Sequence, residues 1–137
     1  MHQAVYVQSY IDIGKYQLAE NKLIDLFYLY NDWAHLYNLY GKIFLARKNY
    51  EKAREYFLGA QKISPNDRPS KLGLERVQLA LDKQLYKADQ AFKKGNYKLS
   101  TIIYHDYVGD NTWPSPQFNL AHAYNGLGWS QFYKKQY

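Results

Sequence analysis

The side chains able to do chemistry are few and scattered. The chain has four histidines, His2, His35, His105 and His122, and no two stand at metal-ligand spacing. It has no cysteine, which removes disulfides, thiolate chemistry and thiolate-bound zinc or iron–sulfur centres. No glycine-rich phosphate loop, nucleophile elbow or HExxH helix is present. Carboxylate pairs such as Glu51 with Glu55 sit four apart and read as charges on a solvated helix face. The expectation is a protein that is not an enzyme and needs no cofactor or metal. What recurs instead is a hydrogen-bonding pair. Ala34 to Tyr50 reads AHLYNLYGKIFLARKNY, and Ala121 to Tyr137 reads AHAYNGLGWSQFYKKQY. Both open on Ala-His, with an asparagine three residues after the histidine and a glycine three further on. Both residue types donate and accept, so a pair one helical turn apart suits an extended main chain.

Such a pair needs elements to position it, and the chain repeats at a period that supplies them. A shift of 34 residues aligns Tyr6 with Tyr40, Tyr10 with Phe44, Tyr16 with Tyr50, Ala19 with Ala53 and Leu23 with Phe57. Self-similarity at a fixed period of about 20–50 residues is the mark of stacked repeats. Tyr37, Tyr40, Gly41 and Phe44 lie on one helix face, and Ala53, Phe57 and Ala60 on the next. Small residues at Gly41, Ala53 and Ala60 let two antiparallel helices approach, with the aromatics filling the sides. Asn49-Tyr50 marks the turn, and Ser64-Pro65-Asn66-Asp67 ends the second helix.

The series Tyr37, Tyr40-Gly41, Phe44, Tyr50, Ala53, Phe57, Ala60, Pro65 resembles the tetratricopeptide repeat. The match is full over 34–67 and looser over 1–33, where Val7 replaces the small residue and Asn31 the proline. The resemblance implies an all-α fold, a right-handed α-solenoid of antiparallel helix pairs. It would hold about three and a half repeats in seven helices, over units 1–33, 34–67, 68–113 and a half repeat 114–137 of a single domain. The third unit is irregular, because Tyr50 and Tyr97 stand 47 apart. Leu74, Val77, Leu81, Ala88, Ala91 and Phe92 continue a helical stripe with no internal proline. One lengthened helix over about 69–94 is expected, two shorter ones being the alternative. Gly95-Asn96-Tyr97 repeats the turn, and Tyr97, Ser100, Tyr104 and Tyr107 face inward. Val108 to Pro114 reads as a loop, and the last helix should start near Pro114 to Pro116. Gly128 matches Gly41 as a crossing point, whereas Gly126 has no such reason and should weaken that helix.

The resemblance also implies function, since such solenoids offer an extended concave surface to partners. Residues off the packing stripe of each first helix would line it. These are His35, Asn38, Lys42 and Leu45 in the second unit, and His122, Asn125, Trp129 and Phe132 in the last. Leu85, Asp89 and Phe92 take these places in the third, and Ala4, Gln8, Ile11 and Asp12 in the first. The lysine-rich clamp by which some members hold a C-terminal carboxylate has no counterpart at Ala4, Gln8 and Leu39.

Charge points the same way. The net charge is +6. Lys15, Arg47, Lys48, Lys93, Lys94, Lys134 and Lys135 all fall beside turns within helix pairs, a basic ridge. Asp32, Asp67 and Asp110 fall in the loops between pairs. The leading expectation is a scaffold gripping a protein or peptide partner. The runner-up is an anionic or glycan polymer in envelope or exopolysaccharide assembly, because GLGW and the 16 tyrosines resemble bacterial envelope repeat proteins. Nucleic acid is disfavoured, because the aromatics fall on packing stripes rather than among cations. No apolar run reaches a membrane-spanning length of about 18 residues. The opening MHQAVYVQSYIDIG lacks a signal-peptide pattern, which leaves the compartment open. The final unit lacks its second helix, so the chain reads either as a piece of a longer array or as ending on a solvating cap. In the first case the bare face of the last helix should pair with a second copy as a two-fold dimer.

Overall fold

The computed structural model describes residues 2–109 and 120–136. Among them it contains seven helices and no strand, with neighbouring helices packed pairwise. They are α1 (His2–Asp12), α2 (Tyr16–Leu29), α3 (Ala34–Ala46), α4 (Tyr50–Ile63), α5 (Arg68–Lys93), α6 (Tyr97–Val108) and α7 (Leu120–Gln136). The irregular third unit opens on one helix, since α5 runs unbroken for 26 residues. Of the loop expected over Val108 to Pro114, Val108 instead closes α6; the positions past Gly109, among them Asp110, and the helix start expected near Pro114 to Pro116 lie outside the described residues. Contacts gather into two compact units, Met1–Val77 and Gln78–Tyr137.

Three turns share one geometry. Gly14, Lys48 and Gly95 carry φ of +80°, +62° and +78°. In each, two backbone bonds close the preceding helix. Gly14 N and Lys15 N donate to Ile11 O and Tyr10 O, Lys48 N and Asn49 N to Leu45 O and Phe44 O, and Gly95 N and Asn96 N to Phe92 O and Ala91 O. This pattern of a left-handed residue just past a helix end satisfies carbonyls the helix leaves open. The next helix then starts at once. Asn49 and Asn96 cap α4 and α6 by accepting from Lys52 N and Leu99 N.

In the first unit α1 packs on α2, α2 on α3 and α3 on α4. The crossing of α3 and α4 is set by glycine against aromatic. A methyl group on Gly41 would lie 2.5 Å from the Phe57 ring, and one on Gly59 would lie 2.7 Å from Tyr37. Gly73 of α5 meets the same Phe57 ring, so that side chain lies between two glycines. Ala53, Phe57 and Ala60 are buried, as their spacing predicts. Tyr56 stacks on Tyr40 at 4.8 Å and on Phe44 at 5.4 Å. Burial, helped by Tyr56 and Glu20, pushes the Tyr40 phenol up to about 12.

In the second unit α6 and α7 run antiparallel. Ser100 Oγ donates to Ser130 Oγ at 2.7 Å, Tyr97 stacks on Tyr133, and the Tyr104 ring lies against Gly126. One descends α6 from its last residue as the other ascends α7. The glycine roles are therefore the reverse of the sequence expectation. Gly126 is the point of close approach, because a methyl group there would intrude on Tyr104, and Gly128 meets nothing within 4 Å.

Candidate functional site

In the first unit α3 places His35, Asn38, Lys42 and Leu45 on one face, but their surroundings differ. Lys42 Nζ donates to Gln8 Oε1 at 2.9 Å, which joins positions one 34-residue period apart on α1 and α3. His35 is half-buried beside Trp33, with ring centroids 5.1 Å apart. Burial and then Lys42 lower the pKa of His35, while Asp67 opposes them, so the imidazole is held neutral. Leu45 is half-buried.

Asn38 is only 2% exposed. Its Nδ2 donates to Asp67 Oδ2 at 2.8 Å, and the same oxygen accepts from Ser70 N at 2.9 Å. Asp67 O accepts from Ser70 Oγ. Asp67 lies in the loop before α5, as expected, but there it caps α5 and is engaged by Asn38. Burial alone would raise its carboxyl, but the bonds from Asn38 and Ser70 outweigh burial and hold it below the usual range. An ionised carboxylate only accepts, so the Asn38 amide must turn its nitrogen toward Asp67. Its carbonyl Oδ1 is then buried with no donor. Such an orphaned acceptor is uncommon, because it forfeits its bonds to water without replacement.

In the second unit Asp89 is the node. Its Oδ1 accepts from the Tyr104 hydroxyl and lies 2.8 Å from His122 Nε2, so it links α5, α6 and α7. Burial, then the bond to Asp89 and its charge, push the Tyr104 phenol well above its ordinary value. Leu85 and Phe92 are half-buried, and Asn125 is exposed. The matching histidines and asparagines therefore do not share an environment. Asn38 is sealed against Asp67 while Asn125 faces outward, and His122 rather than Asn125 reaches an aspartate.

Trp129 and Phe132 are 55% and 51% exposed. They top a ring cluster that spacing alone did not reveal. Tyr97 stacks on Tyr133 at 5.0 Å, and Tyr133 on Trp129 at 5.9 Å. Phe92 meets Tyr97 and Tyr133 edge-on, and Phe132 does the same to Trp129. Of the ridge, Lys15, Lys48, Lys93, Lys94, Lys134 and Lys135 are exposed. Arg47 is engaged, with its guanidinium 2.6 Å from Glu20.

No family model matches this chain, and neither a curated protein nor a solved structure matches it. Among the described residues no helix is long and apolar enough to cross a membrane, and no three acidic or histidine side chains converge as metal ligands would. The residues that sequence reasoning missed are Asp67, Tyr97, Tyr104 and Tyr133. The spacing of Tyr97 and Tyr104 signals packing alone, and the α6/α7 register is what brings Tyr97 and Tyr133 to the exposed rings.

Proposed function

We propose that the chain is a tetratricopeptide-like scaffold that holds an extended segment of a protein partner along the α1 and α3 faces of its first unit. The observation that carries this reading is the bond from Lys42 Nζ to Gln8 Oε1, which sets matching positions of α1 and α3 side by side on the face that also holds half-buried His35. His35 and the Lys42–Gln8 pair can exchange hydrogen bonds with the main chain of a peptide. Peptide-array selection on the folded protein tests the reading. Selected segments should bind His35→Ala and Lys42→Met at least tenfold more weakly, with thermal melts unchanged. No selected segment, or unchanged affinities, would refute it.

A second reading is a glycan or anionic polymer, favoured by the half-exposed Trp129 and Phe132. Aromatic faces of that kind stack on sugar rings, and lysines stand beside them.

A further inference from the structure

The antiparallel register of α6 and α7 brings two features together that the sequence keeps apart. The start of α6 lies beside the end of α7, and the tight turn at Gly95 sets the end of α5 at the same place. Lys93, Lys94, Lys98, Lys134 and Lys135 are exposed at that end of the second unit. No acidic residue occurs in α7 or between Lys93 and Ser100 to neutralise them. Lysines in the last turns of α5 and α7 are explained by the negative ends of those helices. Lys98 is not, because it stands in the first turn of α6, where a cation is disfavoured and no acidic residue accompanies it.

The rings begin where the lysines end. Tyr97, Tyr133 and Trp129 form a ladder of near-parallel planes, at 24° and 26°. Trp129 ends the ladder and is more than half exposed, so a flat apolar group can continue the stack. From Trp129 to Lys135 is about 9 Å along the helix axis. Cations and rings thus follow one another along a line. A bilayer surface would meet the lysine tips first and leave the rings behind, whereas a linear segment can touch both.

We propose that this end of the second unit docks an acidic peptide segment carrying one aromatic side chain. Carboxylates of the segment lie over the five lysines, and its ring extends the Tyr97–Tyr133–Trp129 stack. The inference rests on the partner-segment reading and names the partner's chemistry.

Fluorescence polarisation with labelled synthetic dodecapeptides tests it on the intact chain. One peptide is rich in Glu and Asp with a central Phe, a second replaces Phe by Ser, and a third replaces the acids by Gln. The first should bind at least tenfold more tightly than either other, and weaken steeply with salt because exposed charges are screened. Lys134→Gln with Lys135→Gln should remove the preference for acids, and Trp129→Ala with Phe132→Ala the preference for Phe. His35→Ala should change neither. Melting curves report on folding, and lysine variants at the exposed helix end leave the ring cluster intact should the ring variant unfold. Equal binding of all three peptides, or indifference to both variant pairs, overturns the assignment. So does binding of phosphatidylserine vesicles or alginate, but not the acidic peptide, through these residues. If array-selected segments bind through His35 while acidic ones do not, only this dock fails. If no peptide of any composition binds, the scaffold reading fails with it.

Discussion

Single residues decide two questions that spacing leaves open. Gly126 faces the Tyr104 ring and Gly128 faces nothing, so the same substitution should act oppositely at the two sites. Gly126→Ala should overpack α6 against α7 and cost about 1–3 kcal/mol. Gly128→Ala should add about 1 kcal/mol, because alanine is the better helix former and meets no neighbour. Urea melts of the two variants check this, and equal effects would contradict the register. His35 offers a test in pH. Its folded pKa lies below 6.5, so the unfolded chain binds the proton more readily. The neutral imidazole's contribution is complete above 6.5 and is lost as pH falls through the window below it. Melting temperatures of His35→Gln should therefore fall less steeply than those of the parent between pH 7 and pH 5.

At the scale of the element, α5 depends on a residue just outside it. Asp67 caps the helix and holds the buried Asn38 amide at once. Asp67→Ala should cost about 1 kcal/mol for the cap. Leaving the Asn38 nitrogen unpaired should add about 1–3 kcal/mol. Adding Asn38→Leu should recover part of the second cost, which a denaturant double-mutant cycle reads directly. The elements themselves were legible in the sequence. The turn residues Asn49-Tyr50 and Gly95-Asn96-Tyr97, the small residues of the α3/α4 crossing and the unbroken stripe of α5 are all local signals. Their information lies within a few residues or recurs at one period. The site was legible only in part. Spacing placed His35, Lys42, Trp129 and Phe132, but could not say that Asn38 is sealed by an aspartate 29 residues away. Nor could it separate Gly126 from Gly128, because aligning the last unit with the second presumes that both glycines face the same neighbour. In the second unit α7 meets α6, and that register belongs to the pair.

At the scale of the whole molecule, the open question is what covers α7. Beside the packed residues Ala123, Gly126 and Ser130, Leu127 is half-buried, while Gln131 is exposed and Tyr124 is 54% exposed. This strip differs from the face that carries Trp129 and Phe132. Should a second copy cover Tyr124, two-fold pairing is the commonest closure. Light scattering should show the mass rising toward that of a dimer with concentration, and Tyr124→Glu should return it to a monomer. A constant monomer mass would remove the dimer.

The shared turn geometry at Gly14, Lys48 and Gly95 also bears on time. Each turn joins two helices through three residues and closes on backbone groups that are near in sequence. The contacts so made bridge short stretches of chain, so little loop-closure entropy stands against forming them. Chains dominated by such local contacts fold on microsecond to millisecond scales. Synthesis adds roughly 5–20 residues per second, far slower than that. During translation the α1–α2 hairpin can therefore close before α3 has emerged, and α3–α4 before α6. The order of assembly is then set by the direction of synthesis, with each new helix arriving at a surface already formed.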